Sequence, residues 1–569
     1  MGKGTVIMEK FSQIQYTRPN MEALEATLKE KIEALKAAAS YEEARKAYVE
    51  LSGADVMENT MGSLAHIRNT IDTTDAFYEE EVKVINAGRS RLMPVYRAAN
   101  EALLNSPFRK EFEAEFGAYL FHNLEEQNKL LNPAIIEDKI EESNLVNQYQ
   151  KAAAMCRTTF RGEECNFYGL LKHMQSTDRA ERKEAFEAWA KLYEEVSPVL
   201  DEQYGKLVKL RAGMAKKLGM DSYTQVAYLN KRRYNYGPED VAKFRQQVKD
   251  IIVPACAEIY ERQRQRLGVE KLHYYDEALV FPEGNATPIG NKDEMVAAAQ
   301  KMYRELSKET GEFFDFMVEY ELFDLESKPG KRMGGYCSSL PAYKAPFIFS
   351  NFNGTSADVD VLTHEAGHAF EGYTASRTLP ISAYYHSTSE INEIHSMAME
   401  HFTYPWMNLF FEDADKYRYA HLFGALNVIP YMICVDEFQH RVFENPEQGP
   451  KEWRKIWHEL EQTYMPWRDY DGNEFLEEGG FWMQKQHIFM YPFYYVDYAL
   501  AQIGAFEFYS RDKENHDEAW ADYCHLCQLG GSKEYFELLE EAHLHNPFQE
   551  GSVKAAVDRV IAELKNAKY

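Results

Sequence analysis

The segment LTHEAGHAFEGY, Leu362–Tyr373, sets two histidines four residues apart with a glutamate directly after the first. On a helix, His364 and His368 stand one turn apart on one face, so both imidazoles can reach a single point, as a tetrahedral zinc site needs. Val359, Leu362, Ala366, Phe370 and Tyr373 form an apolar stripe at spacings of three and four on the other face. Two histidines on a solvated helix face would show the same spacing; the glutamate and the helical setting favour a metal site. Zinc in hydrolytic sites takes three protein ligands and leaves its fourth position to water. A third histidine of the HExxHxxGxxH kind is absent, because Glu371 and Thr374 stand in the last two places of that pattern. Downstream, TSEINEIHSMAMEHF reads as a helix from near Ser387 carrying Glu390, Glu393 and Glu400. One of these is the candidate third ligand, and at least one is expected on a solvated acidic face. Asp360 and Glu400 are candidates to accept a hydrogen bond from the second nitrogen of a ligand histidine.

These residues need a scaffold. From Asn20 to about Leu267, apolar residues recur at helical spacing among Glu, Lys, Arg and Ala, as in MEALEATLKEKIEALKAAA. Ser40 with Glu43 forms a capping box that starts a further helix. Between His273 and Ser350 the stretches PEGNATPIGN and SKPGKRMGGY break the helices, and β-prone runs such as ALVF and FIFSNF predict a small sheet. FIFSNF, reached after Gly334 and Gly335, is the strand expected to pair with an extended peptide. Helical periodicity returns after Ser356, rich in Tyr, Phe and Trp, which suits both core and an amphipathic cleft wall.

The sequence resembles the HExxH zinc oligopeptidases that include thimet oligopeptidase, oligoendopeptidase F and the Pz-peptidases. That family has a glutamate ligand in a segment of the form E-[IVA]-x-S-x-x-x-E; EIHSMAME matches it, and Glu393 stands 25 residues beyond His368. Upstream, GGYCSSLPAYKAPFIFSNFNGTSADVDVLTHE looks like the family's substrate-binding strand and its loop into the zinc helix. Downstream, EEGGFWMQKQHIFMYPFYYVDYALA is similar to a His- and Tyr-rich segment that closes over bound peptide. The resemblance implies that His364, His368 and Glu393 hold one zinc ion and that Glu365 acts on its water. It implies that His487 and Tyr495 or Tyr498 donate hydrogen bonds to the peptide. Tyr491 stands nearby, Tyr494 competes with Tyr495 for its place, and Gly334 and Gly335 lie in the substrate-binding strand.

The remaining sequence narrows the function. A formal charge of −27 argues against nucleic-acid and anionic-membrane partners, since phosphates repel an acidic surface. The N-terminal MGKGTVIMEKFSQIQY lacks a signal-type apolar run, and Leu422 to Val435 is interrupted by Asn427 and Pro430, so a cytoplasmic protein is expected. Seven cysteines scattered over 569 residues do not form a disulfide framework, and the CxxC of Cys524 and Cys527 is read as buried thiols on a helix.

The expected fold is mainly α: a two-lobed, zincin-type peptidase with a small sheet beside the zinc helix and a deep central cleft. Its expected division is an N-terminal helical lobe at 1–200 and a catalytic lobe at 201–569. The expected activity is zinc-dependent cleavage of internal bonds in short peptides. A dipeptidyl carboxypeptidase is the alternative enzyme, and a peptide-binding protein without hydrolysis is the alternative from another class.

Overall fold

A computed structural model describes residues 8–328 and 330–569; the reading of the N-terminal stretch rests partly on residues 1–7, which lie outside the described residues. Helix makes up 71% of the structure and strand 4%, so the molecule is mainly α, as the residue periodicity implies. No helix among the described residues is long and apolar enough to cross a membrane.

The chain packs as two compact units, each assembled from three separated stretches. Met1–Leu131, Thr287–Ala414 and Arg511–Leu544 make the first; Asn132–Ala286, Asp415–Ser510 and His545–Tyr569 make the second. Position 200 lies inside the continuous helix Arg179–Lys217 of the second unit, so a cut there follows neither unit. Residue pattern alone cannot mark units that the chain enters and leaves several times.

In the first unit the N-terminal helices follow their caps. Asn20 accepts from Ala23 N at the start of Met21–Ala37, and Ser40 accepts from Glu43 N at the start of Tyr41–Ser52. The Glu43 carboxylate returns to Ala39 N at 2.9 Å, one residue before the place a regular capping box would use. Leu24, Leu28, Ile32 and Leu35 bury one stripe against Ala44, Tyr48, Leu51 and Phe112.

The same unit holds the three-stranded sheet: β1 (Phe323–Glu326), β2 (Tyr336–Leu340) and β3 (Ala345–Phe352). FIFSNF is the core of β3, which lies in the middle, parallel to β1 and antiparallel to β2. Both of its edges are therefore occupied, and the expectation that it pairs with a peptide fails. The strands at the edges are β1 and β2, and β2 follows Gly334 and Gly335 directly. ALVF is not a strand; it follows the short helix Tyr274–Glu277 as irregular chain. After β3 come α1 (Ala357–Thr378), which carries the HExxH residues, and α2 (Ser389–Phe402).

The second unit is helical apart from a hairpin, Thr158–Phe160 with Glu163–Cys165, that helical patterning concealed. Its turn residues Arg161 and Gly162 have φ of 50° and 89°, the paired positive values of a type I′ turn, which the glycine makes accessible. Near its end lie α3 (Gln486–Met490), which bears His487, and α4 (Tyr495–Glu514), which bears Tyr495 and Tyr498, with Tyr491 and Tyr494 in the turn between them.

Candidate functional site

The helix α1 buries Val359, Leu362, Ala366 and Phe370 at 2% exposure or less, which leaves His364 and His368 on the other face. Gly367, between the histidines, permits a close approach of α2: a Cβ there would lie 2.6 Å from the His395 carbonyl oxygen and 2.6 Å from Ser396 Cα. That approach brings Glu393 to the histidines. Its Oε2 lies 3.4 Å from Nε2 of His364 and 3.4 Å from Nε2 of His368. One donor atom from each of the three residues falls within 4.8 Å of the others, the only such group able to hold a metal ion among the described residues.

Of the three glutamates on α2, Glu393 faces this cluster and is 4% exposed, and Glu390 is fully buried. Glu400 accepts from His364 Nδ1 at 2.6 Å. The expected solvated acidic face is therefore missing, because α2 is enclosed on every side that carries a carboxylate. Glu400 meets the expectation of a carboxylate behind a histidine. Because an ionised carboxylate can only accept, Glu400 holds a proton on His364 Nδ1 and turns Nε2 toward the cluster.

The donor set calls for positive charge at its centre. Burial opposes protonation of His364, but hydrogen bonds to Glu393 and Glu400 outweigh it and hold its proton affinity well above the usual histidine range. Burial likewise raises Glu393, and the facing His368 and His364 overcome it and hold the carboxyl well below its usual range. Two imidazoles and one ionised carboxylate converging on a partly buried point suit a divalent metal with a nitrogen and oxygen preference such as zinc.

Glu365 is 7% exposed, and burial pushes its carboxyl up against the opposing pull of His364 and His368. The chain segment before β2 passes beside it. A Cβ at Gly335 would stand 3.0 Å from Val361 Cγ1 and 3.5 Å from Glu365 Oε1, so this position accepts only a glycine without displacement. Gly334 has φ of 95°, a left-handed conformation that favours glycine. Asn351 Nδ2 holds the turn by donating to the carbonyls of Arg332 and Gly334 at 2.8 Å each.

In the second unit, His487 stands amid the four tyrosines singled out from sequence. Its ring centre is 4.9 Å from Tyr495, 6.0 Å from Tyr491 and Tyr494, and 6.2 Å from Tyr498. Tyr491 is the exposed member at 49%, and Tyr495 is buried at 8%. Sequence reasoning missed what holds this group: Arg211, Arg233, Gln439 and Asp497, all buried, bond the chain around it. It missed Gly367 too, although a glycine inside a helix is a known sign of close approach.

All seven cysteines are free thiols. Cys524 and Cys527 lie on the helix His516–Leu529, and burial raises both, Cys524 to about 12, so neither offers a ready thiolate.

The sequence profile of the Peptidase M3 N-terminal domain matches residues 11–131, and that of Peptidase family M3 matches residues 172–557. A structure of Pz peptidase A with an inhibitor is similar at 46% identity and a TM-score of 0.94, over 98% of this chain and 100% of that one. A protein from Bacillus anthracis strain Ames, provisionally named an oligoendopeptidase F, is similar at 44% identity and a TM-score of 0.89, over 98% of each chain. The oligoendopeptidase F homolog of Borreliella burgdorferi is 26% identical over 290 residues, which make up 49% of this chain and 48% of the relative. The chain thus spans about half the length of that curated relative. With the larger profile match alone covering more than half of its residues, the chain belongs to peptidase family M3.

Proposed function

We propose that the protein is a zinc-dependent endopeptidase of short peptides in the cytoplasm. The observation that carries this reading is the convergence of His364, His368 and Glu393 within 4.8 Å, with Glu365 next to the first of them on α1. When bound there, zinc supplies an activated water at neutral pH and polarises the peptide carbonyl.

The chain's own residues do the rest. Glu365 accepts the proton of the attacking water on its carboxylate and returns it to the leaving amine nitrogen. Burial raises its proton affinity toward the level that such an exchange near neutrality requires. His487 and Tyr495 or Tyr498 donate hydrogen bonds to the oxygen on which negative charge grows; such donors are worth roughly 3 kcal/mol each. The edge of β2 pairs with the extended peptide backbone, which reads no side chains and so tolerates varied sequences. Tyr491 and Tyr494 add apolar contact and polar tips along the peptide.

The test is mass spectrometry of an end-blocked, internally quenched peptide incubated with the purified protein, with chelator, and with zinc restored. Internal cuts that the chelator abolishes and zinc recovers support the reading. Release of dipeptides from free C-termini, with blocked peptides untouched, would replace it with the carboxypeptidase. Peptide bound at a zinc-loaded site without any cleavage would leave a binding protein.

A further inference from the structure

The turn Met490–Tyr494 joins the helix of His487 to the helix of Tyr495 and Tyr498, and it is held by buried charge rather than by apolar packing alone. At its start, Arg211 Nη2 donates to the Phe489 carbonyl at 2.6 Å while Arg211 Nε binds Glu142 Oε1 at 2.7 Å. At its end, Arg233 Nη2 donates to the Phe493 carbonyl at 2.6 Å and to Oδ1 of Asp497. The side chains of Arg233 and Asp497 are both fully buried. Gln439 Oε1 accepts from Phe493 N at 3.0 Å, and its own Nε2 is tied to Val435 O at 3.1 Å. Phe493 itself has φ of 61°, a conformation that a phenylalanine keeps only when its surroundings impose it.

A buried ion pair is a weak way to gain stability, since an apolar pair of equal volume packs as well or better. What an apolar pair cannot do is fix the direction of a carbonyl and a carboxylate together. Arg233 does both, and each target borders a tyrosine: the Phe493 carbonyl directly precedes Tyr494, and Asp497 directly precedes Tyr498. The guanidinium is itself fixed by stacking over Tyr228, 4.6 Å from the ring centre. Lys231 extends the same network, with Nζ 3.5 Å from Asp497 Oδ2 and 4.1 Å from the centre of the Tyr494 ring.

We infer that Arg233 and Asp497 are positioning residues that set Tyr494, Tyr495 and Tyr498 against His487 for the reaction, by locking the left-handed turn at Phe493 to the first turn of α4. This rests on the reading that His487 and the tyrosines act on bound peptide. Neither Arg233 nor Asp497 needs to touch substrate.

The test uses the full-length, zinc-loaded protein and the paired replacement Arg233→Met with Asp497→Leu, which removes both charges of the pair together and leaves Lys231 its contact with the Tyr494 ring. Expected are a fall in kcat of about 30-fold, KM within about threefold, and metal content and thermal midpoint close to those of the parent. Arg233→Lys, which keeps the charge, should recover part of the loss. In a His487→Ala background the paired replacement should cost no more than about twofold, because the alignment of the tyrosines against His487 that the pair maintains is already lost. If the paired variant does not fold, Arg233→Lys alone carries the same comparison, with a loss of about fivefold that vanishes in the His487→Ala background. An equal fold-loss in both backgrounds, or parental kcat in the folded paired variant while His487→Ala is impaired, overturns the positioning role and leaves the proposed function standing. Parental kcat in His487→Ala itself would instead overturn the reading of this segment, and the inference with it.

Discussion

His364, His368 and Glu393 project from helices of 22 and 14 residues, whereas His487 projects from one of five residues followed by a turn with a phenylalanine at φ of 61°. The two histidine regions therefore reach fixed geometry by different means. In the first, helical repeat sets the spacing of the imidazoles, and one glycine lets the second helix close on them. In the second, no local repeat suffices, and buried guanidinium groups pin carbonyls from far along the chain. Repetitive structure is rigid by itself; irregular structure needs polar anchors, each of which must find a partner when buried. The first region should therefore fail through packing or ligand loss, and the second through loss of direction.

The largest expected effect separates chemistry from scaffold within the first region. Glu365→Gln keeps the shape of α1 and all three side chains proposed to hold the metal, so metal content should stay at parental level. Turnover should fall about a thousandfold, the scale of a lost general base. Metal analysis beside kcat checks this, and substantial activity in a metal-loaded variant would remove Glu365 from its role.

Acid should act on the second region through a buried histidine, as it should on the first through His395, which burial also lowers to about 4. His440 is 6% exposed, packs its ring 4.9 Å from that of Phe493, and meets the Tyr228 hydroxyl at 3.2 Å. Burial drives its pKa from 6.5 down to about 4; Asp436 and Glu437 resist this, while Arg245 and Arg233 add to it. Above about pH 6.5 the residue is neutral in both states and contributes no slope. As the pH falls from about 6.5 toward 4, the unfolded chain takes up a proton that the folded chain refuses, so stability is lost. The loss approaches about 3 kcal/mol. Denaturant unfolding near pH 7 and near pH 5 should show this slope, and His440→Phe should reduce it by about the share of one histidine, leaving that of His395. An unchanged slope in the variant would place the acid sensitivity elsewhere.

Packing should be the weak point of the first region. Gly367→Ala drives a methyl into the His395 carbonyl and Ser396 Cα, both at 2.6 Å and both backbone atoms of α2. Separation of the helices should cost about 2 kcal/mol in stability and weaken metal binding in parallel. A thermal melt with a metal titration measures both, and parental values would show that α2 can shift without moving Glu393.

This contrast also explains what could be read from the sequence. HExxH was legible because its determinants lie within one helix and share one period. Glu393 was less so: Glu390, Glu393 and Glu400 all lie on α2, and family resemblance rather than periodicity singled one out. The mainly helical class was evident, yet ALVF was misread and β1 passed unnoticed, since β-propensity reports fit to neighbours more than local preference. Gly367 and Arg233 act on partners that no local pattern reveals. Gly367 meets the backbone of His395, and Arg233 meets a carbonyl 260 residues onward.

The smallest expected effect sharpens the comparison most, because it reverses the signature of the Arg233 and Asp497 pair. Glu400 accepts the His364 Nδ1 proton at 2.6 Å and touches neither peptide nor reacting atoms in the proposed mechanism. Glu400→Gln keeps an oxygen acceptor but removes the charge and adds an amide that can turn its NH2 toward the ring. His364 would then lose both basicity and a fixed tautomer, and metal affinity should drop about tenfold. With metal in excess, kcat should stay within about threefold of the parent, since Glu365 and the peptide-binding groups are unchanged. Competition against a calibrated chelator measures the affinity, and turnover at saturating zinc measures the rest. Loss of affinity with kcat preserved here, beside loss of kcat with affinity preserved in the Arg233 and Asp497 variant, would show that the two regions are supported independently. Loss of kcat at full metal occupancy would instead place Glu400 in the chemistry and blur the division between ligand support and peptide handling.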